Sequence, residues 1–83
     1  MKKSDIASAI EMALDNFFLI QKNSSNVVGL YGIVVQEVER ILIKKVMQLT
    51  DRNKKKTAKI LGISRNTLDS KIKNLNIYDE QNF

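Results

Sequence analysis

Between Val27 and Leu49 apolar side chains recur at helical spacing for about six turns, on more than one face. Leu30, Tyr31, Val34, Val38, Ile41, Leu42, Val46 and Leu49 form one stripe, and Ile33, Val35, Ile43 and Met47 widen it beyond a single amphipathic seam. The β-branched run from Val27 to Val35 also admits a strand. The helical period continues unbroken through Glu37-Val38-Glu39-Arg40-Ile41-Leu42, however, so a helix is expected. A helix that is apolar around most of its girth has to be covered from several sides. A chain of 83 residues supports one core and buries only a modest part of its own surface. It has no cysteine for a disulfide or thiolate site, no histidine, and no proline to interrupt a long helix. With 43% apolar residues it can fold. The expectation is an all-α protein, one domain over residues 1–83, that takes part of its core from a second copy of itself.

Upstream, Ile6, Ile10, Ala13, Leu14 and Phe17 mark one face of another helix, with Ser4 as its cap and Asp5 in its first turn. The pattern fades near Gln21, and Lys22-Asn23-Ser24-Ser25-Asn26 reads as a loop. Residues 4–49 are therefore expected to be dimerisation helices, with Leu14, Phe17, Val34, Val38, Ile41 and Leu42 in the dimer core. Gly29 and Gly32 read as a helix start and a close-packing spot rather than a ligand loop.

Charge divides the chain. Residues 1–43 carry four basic and five acidic side chains, whereas residues 44–74 carry ten basic against two acidic, Asp51 and Asp69. A weakly acidic front and a basic back suit a protein that meets polyphosphate at one end. Thr50-Asp51-Arg52-Asn53 breaks the long helix, and residues 50–78 read as a helix-turn-helix. A short helix from Lys54 to Leu61 is closed by Gly62, and Ser64 caps a last helix with Leu68, Ile72 and Leu75 on its buried face. Ala58 is small where the two helices must cross, Ile63 helps to lock them together, and Asn76 is a left-handed stop after which Ile77 and Tyr78 fold back. The last helix offers Arg65 for a guanine edge, Asn66 for an adenine, and Thr67 for a thymine methyl or a phosphate. Lys54, Lys55, Lys56 and Lys71 are expected along the backbone, and Ser64 is counted among the DNA-binding residues. Asp69 is the unexpected residue on this surface. It has three readings: an acceptor for cytosine N4, a brake on nonspecific affinity, or a partner of Lys73 four residues on.

Other classes find less support. The carboxylates Asp5, Glu11, Asp15, Glu37 and Glu39 read as solvated helix faces, with no His, Cys or Gly-rich phosphate loop to complete a catalytic site. No enzyme, metal, cofactor or small-molecule substrate is expected. A helical protein-interaction module would also use a broad apolar surface, which is more simply a homodimer core. Met1-Lys2-Lys3 is followed at once by Ser4 and Asp5 rather than by an apolar run, and the stretch from Val27 to Val35 is too short to span a bilayer. A soluble, cytoplasmic protein is therefore expected, without membrane partners.

At Leu30-Tyr31, Glu37-Val38-Glu39, Val46-Met47-Gln48, Asn53, Ala58, Gly62-Ile63, Arg65 and Thr67-Leu68 the chain resembles the family of the factor for inversion stimulation, Fis. The resemblance runs from about Leu30 to Ile77, and more weakly through Ala13-Leu14 and Asn16-Phe17-Phe18. It implies a four-helix subunit whose two long N-terminal helices intertwine with the partner's, two closely set recognition helices, and bent double-stranded DNA. It also implies that Asn53, Arg65, Thr67, Lys71 and Lys73 touch bases or phosphates, in a transcriptional regulator or nucleoid-associated protein. The chain departs from the family at Asp69 and Ser70, where basic residues are usual, and at Arg52 for a turn glycine, Ile41 for a proline and Ser64 for an asparagine. The arms with which Fis meets a DNA invertase have no counterpart, so no help in DNA inversion is expected. Arg65-Asn66-Thr67-Leu68 resembles equally the C-terminal DNA-binding domains of NtrC-like activators. The opening Met1-Lys2-Lys3 gives the expectation of a free-standing protein instead.

Overall fold

Four α-helices and no strand make up the regular structure of residues 3–20 and 28–77, the part that the structure, a computed structural model, describes. They are α1 (Lys3–Ile20), α2 (Leu30–Leu49), α3 (Lys54–Leu61) and α4 (Arg65–Asn74). The helix α1 starts one residue ahead of its expected cap Ser4, and Asp5 lies in its first turn, where the helix dipole favours an acid. The helix α2 starts at Leu30, directly after Gly29, which takes the left-handed conformation (φ 72°) that a helix cannot contain. The expected loop at residues 22–26, Val27 and Tyr78 lie outside the described residues.

Helices α2, α3 and α4 all end the same way. After each, one amide donates five residues back and its predecessor donates three back. The pairs are Arg52 N to Met47 O with Asp51 N to Gln48 O, Ile63 N to Ala58 O with Gly62 N to Lys59 O, and Ile77 N to Ile72 O with Asn76 N to Lys73 O. This arrangement satisfies the last carbonyls of a helix and requires a left-handed residue at the turn. Asp51 (φ 56°), Gly62 (φ 77°) and Asn76 (φ 55°) occupy that position. Asp and Asn tolerate it because short polar side chains reduce the clash that penalises other L-residues. The turn expected at Gly62 and the stop expected at Asn76 are both present.

The core gathers at the C-terminal end. Leu68 is fully buried, and Ile43, Met47, Ala58 and Ile77 surround it, with Leu61, Ile63, Ile72 and Leu75 packed against them. The C-terminal half of α2 is thus the third wall of the helix-turn-helix. Ile43 and Met47 widen the apolar stripe of α2 because they face this unit.

The other half of α2 lacks such cover. Ile10, Ala13, Leu14 and Phe17 of α1 line a cleft of about 220 Å³ with Ile33, Val34, Val38 and Ile41 of α2. Nowhere do Cα atoms of the two helices come within 8 Å. Val38, Ile41 and Leu42 stay about half exposed, and Tyr31 and Leu49 are more so. Gly32, read as a close-packing spot, has no neighbour within this chain: a Cβ built there would meet nothing within 4 Å.

One buried polar residue escaped the sequence reading. Thr57 lies in the lysine-rich α3 yet is 0% exposed. Thr50 Oγ1 donates to Met47 O (3.2 Å), so the 2.7 Å hydrogen bond between Thr57 and Thr50 hydroxyls uses the Thr57 proton. The pair ties the end of α2 to α3. Thr57→Val should leave the part-buried Thr50 hydroxyl short of its donor and cost about 1 kcal/mol, or about 4–8 °C in Tm. A melting curve superimposable on that of the wild type would show that the bond does not hold the junction.

Candidate nucleic-acid interface

Local chemistry sets the start of both short helices. Asn53 Oδ1 accepts from Lys56 N (3.0 Å) at the head of α3, and Ser64 Oγ accepts from Thr67 N (3.0 Å) at the head of α4. Side-chain caps of this kind stabilise by about 1 kcal/mol each. The Asn53 amide keeps its NH2 donors. Ser64 also donates to Thr67 Oγ1 (2.9 Å), which commits its proton to the cap and leaves the Thr67 hydroxyl hydrogen to serve elsewhere.

Neither helix has an acid in its first turn. Instead Lys54, Lys55 and Lys56 open α3, and Arg65 opens α4. Cations at the positive end of a helix dipole are unfavourable, by some tenths of a kcal/mol each at the surface. A helical hairpin under selection for stability alone would place acids there. Two cationic helix N-termini within one helix-turn-helix suit an anion.

The polar and charged residues of this face fall into two groups. Lys55, Lys56, Asn66 and Lys73 are exposed, and among the described residues no carboxylate pairs with the three lysines. Lys54, Arg65 and Lys71 are engaged within the chain. Lys71 Nζ of α4 lies 3.3 Å from both oxygens of Glu39 on α2, so it braces the recognition helix against the long helix rather than standing free for a phosphate. Asp69 sits between Lys54 Nζ (3.1 Å from Oδ1) and Arg65 Nε (3.7 Å from Oδ2). The expected pairing of Asp69 with Lys73 is not formed, because Lys54 on the facing helix draws the carboxylate the other way. The Lys54 approach is close but poorly angled: Oδ1 is shielded from solvent and has no directed hydrogen bond.

A further ion pair stands on α2, where Glu37 also lines the cleft with α1 and Arg40 Nη2 donates to Glu37 Oε1 at 2.7 Å. That hydrogen bond holds the Glu37 carboxyl below its usual value and raises the Arg40 guanidinium. Among the described residues no group of acidic side chains is placed to hold a metal ion, and no helix is long and apolar enough to cross a membrane.

The arrangement of a capped eight-residue helix, a left-handed glycine turn and a capped ten-residue helix packed on a long helix has a counterpart among known proteins. The profile of a family described as bacterial regulatory protein, Fis family, matches residues 34–75, half of the chain. The chain belongs to the Fis family. The DNA-binding protein Fis of Proteus vulgaris is 40% identical over 68 residues, which cover 82% of this chain and 72% of that protein. The Fis of Buchnera aphidicola subsp. Schizaphis graminum is 38% identical over 71 residues, 86% of this chain and 72% of its own length. The DNA-binding transcriptional regulator NtrC of Azospirillum brasilense is 40% identical over 72 residues, but these are only 15% of that protein. The matched segment of the Fis-family profile takes in both caps, the turn and every residue of the three-way ion pair.

Proposed function

We propose that this Fis-family chain is a homodimeric, sequence-preferring protein that binds and bends double-stranded DNA, in transcription regulation or nucleoid organisation in the cytoplasm. The observation that carries the DNA reading is the pair of cationic helix N-termini in the helix-turn-helix, an arrangement that lowers intrinsic stability and suits phosphate. In this reading Lys55, Lys56, Lys73 and the Asn53 amide meet the backbone, and Thr67 donates to a phosphate. Arg65 and Asn66 address base edges. Ser64 holds the helix start. Lys54 and Lys71 contribute positive field but are partly neutralised by Asp69 and Glu39. The role is one of binding, with no catalytic step.

The homodimer reading rests on the unfilled cleft between α1 and α2. A second copy would bring the same apolar stripe, and Leu14, Phe17, Val34, Val38, Ile41 and Leu42 would form the shared core. Four half-exposed or more exposed apolar residues per subunit on α2, Val38, Ile41, Leu42 and Ile33, would leave water together. Buried apolar area stabilises by roughly 25 cal/mol per Å².

Two substitutions separate the roles at the interface. Lys55→Ala or Lys56→Ala should weaken binding to all sequences alike and flatten the salt dependence by about one unit of slope. Arg65→Ala should cost roughly 1–3 kcal/mol on a preferred site and far less on random DNA. Equal losses on both would show that Arg65 reads no base. A salt slope untouched by either lysine would remove the backbone role from α3.

The similarity to NtrC supports a second reading, in which the same unit is the DNA-binding part of a longer activator. The size of the native gene product on an immunoblot decides between the two. The DNA face is the same in both.

A further inference from the structure

An acid on the face of a helix proposed to meet DNA needs a physical reason, since a carboxylate repels phosphate. The structure supplies one at Asp69. Its two oxygens point to different partners, Oδ2 to Arg65 Nε on the same helix and Oδ1 to Lys54 Nζ on the helix before it. Three features follow. The Lys54 ammonium cancels the carboxylate charge locally, so the trio keeps a net positive charge toward solvent. Lys54 also fixes Asp69 from a second helix, which a lone pair between Asp69 and Arg65 would not do. And the atom of Arg65 beside Asp69 is Nε, which leaves the two terminal nitrogens as a fork. A guanidinium is planar and rigid, so holding one edge orients the others. An end-on fork of two N–H donors matches the O6 and N7 acceptors of guanine.

We infer that Asp69 is a positioning residue for Arg65: braced by Lys54, it holds the Nε edge of the guanidinium and leaves the terminal nitrogens to read one guanine per half-site. The inference rests on the DNA-binding reading above and deepens it. A free arginine side chain has many rotamers, and binding a base requires one of them. Restricting the side chain beforehand favours the correct contact over incorrect ones. Asp69 thereby sharpens discrimination without touching DNA. Its 3.7 Å distance to Nε is that of an ion pair and too long for a hydrogen bond, so the hold on the guanidinium is electrostatic.

The test uses the full chain and duplexes enriched from a random pool by the wild-type protein. At each guanine of the enriched site, 7-deazaguanine replaces the N7 acceptor by carbon. Wild-type affinity should fall on the order of tenfold at one guanine per half-site, the loss expected when a bidentate contact is broken. Asp69→Asn, nearly isosteric, and Asp69→Ala should both show less than about twofold sensitivity at that guanine, as should Arg65→Ala. Asp69→Glu should recover part of it. Thermal melting of each variant checks the fold, and the deaza sensitivity is a ratio that a general loss of stability does not move. Full tenfold sensitivity retained in Asp69→Asn and Asp69→Ala overturns the inference. So does tighter binding to every sequence with the preference kept, which would make Asp69 a brake. Wild-type insensitivity at every guanine, with the lysine salt slopes as expected, overturns it while leaving the DNA-binding reading in place. Failure of the wild type to enrich any duplex overturns both.

Discussion

Val38→Asp is expected to abolish dimerisation and with it the folding of α1 and the N-terminal half of α2. Within one chain Val38 is 48% exposed, and a substitution at so open a site would ordinarily change stability by about 0.5 kcal/mol or less. In the proposed dimer the same position is sealed. An aspartate there would be a buried charge without a partner, at a cost of several kcal/mol, and symmetry places it in both subunits. The size of the effect therefore reports whether the cleft against α1 is filled by a second chain. Sedimentation at micromolar concentration and far-UV circular dichroism read the result. A variant that sediments and melts like the wild type would remove the basis for a shared core.

Leu68→Ala should act on the other half of the molecule. Leu68 is 0% exposed and stands at the centre of the cluster formed by Ile43, Met47, Ala58 and Ile77. Truncating a fully buried leucine costs roughly 2–5 kcal/mol, depending on how far the cavity collapses. A domain of this size commands only about 4–12 kcal/mol in total. The helix-turn-helix should lose its hydrogen-exchange protection and DNA binding should fail, while sedimentation still gives the size of the dimer. Opposite outcomes for the two variants would establish that the two apolar regions are independent. A loss below about 1 kcal/mol would mean that the cluster repacks around a smaller side chain, contrary to the tight core described.

The parts of this fold that were legible in the sequence are those set by local chemistry. Asn53, Gly62, Ser64 and Asn76 mark helix boundaries because caps and left-handed turns involve residues three to five apart, and all four take those roles in the structure. The period of α2 was equally clear, since apolar spacing is a property of one helix. Which side of α2 met which neighbour was not. Ile43 and Met47 serve the helix-turn-helix and Val34 and Val38 face the cleft with α1, but in the sequence they belong to one broad stripe. Long-range pairs left no trace at all. Glu39 and Lys71 are 32 residues apart, and no spacing rule connects them. Asp69 shows the limit well. The rule that favours an acid ahead of a base pointed to Lys73, whereas Lys54, in the facing helix, determines where the carboxylate goes. Thr57 was hidden for a similar reason: among lysines it reads as polar surface, and its burial depends on a hydroxyl supplied by Thr50.

The junction between α2 and α3 also bears on mechanics. The helix α2 is a single rod of 20 residues, about 30 Å long, without a proline or a described break. It runs from the cleft region into the wall of the helix-turn-helix, and the Thr50–Thr57 bond and the Arg52 N to Met47 O bond clamp its end. No soft segment separates the two functions. In the two-fold assembly proposed above, the distance between recognition helices is then fixed by how the rods cross, and the protein has little compliance with which to adjust it. Smooth bending of a 20–30 base-pair site by 40–90° costs on the order of 1–6 kcal/mol, whereas unseating Leu68 would take much of the domain's stability. The duplex is the softer spring. In that proposed assembly, when the spacing of the two recognition helices differs from one turn of straight DNA, the DNA would be the component that deforms.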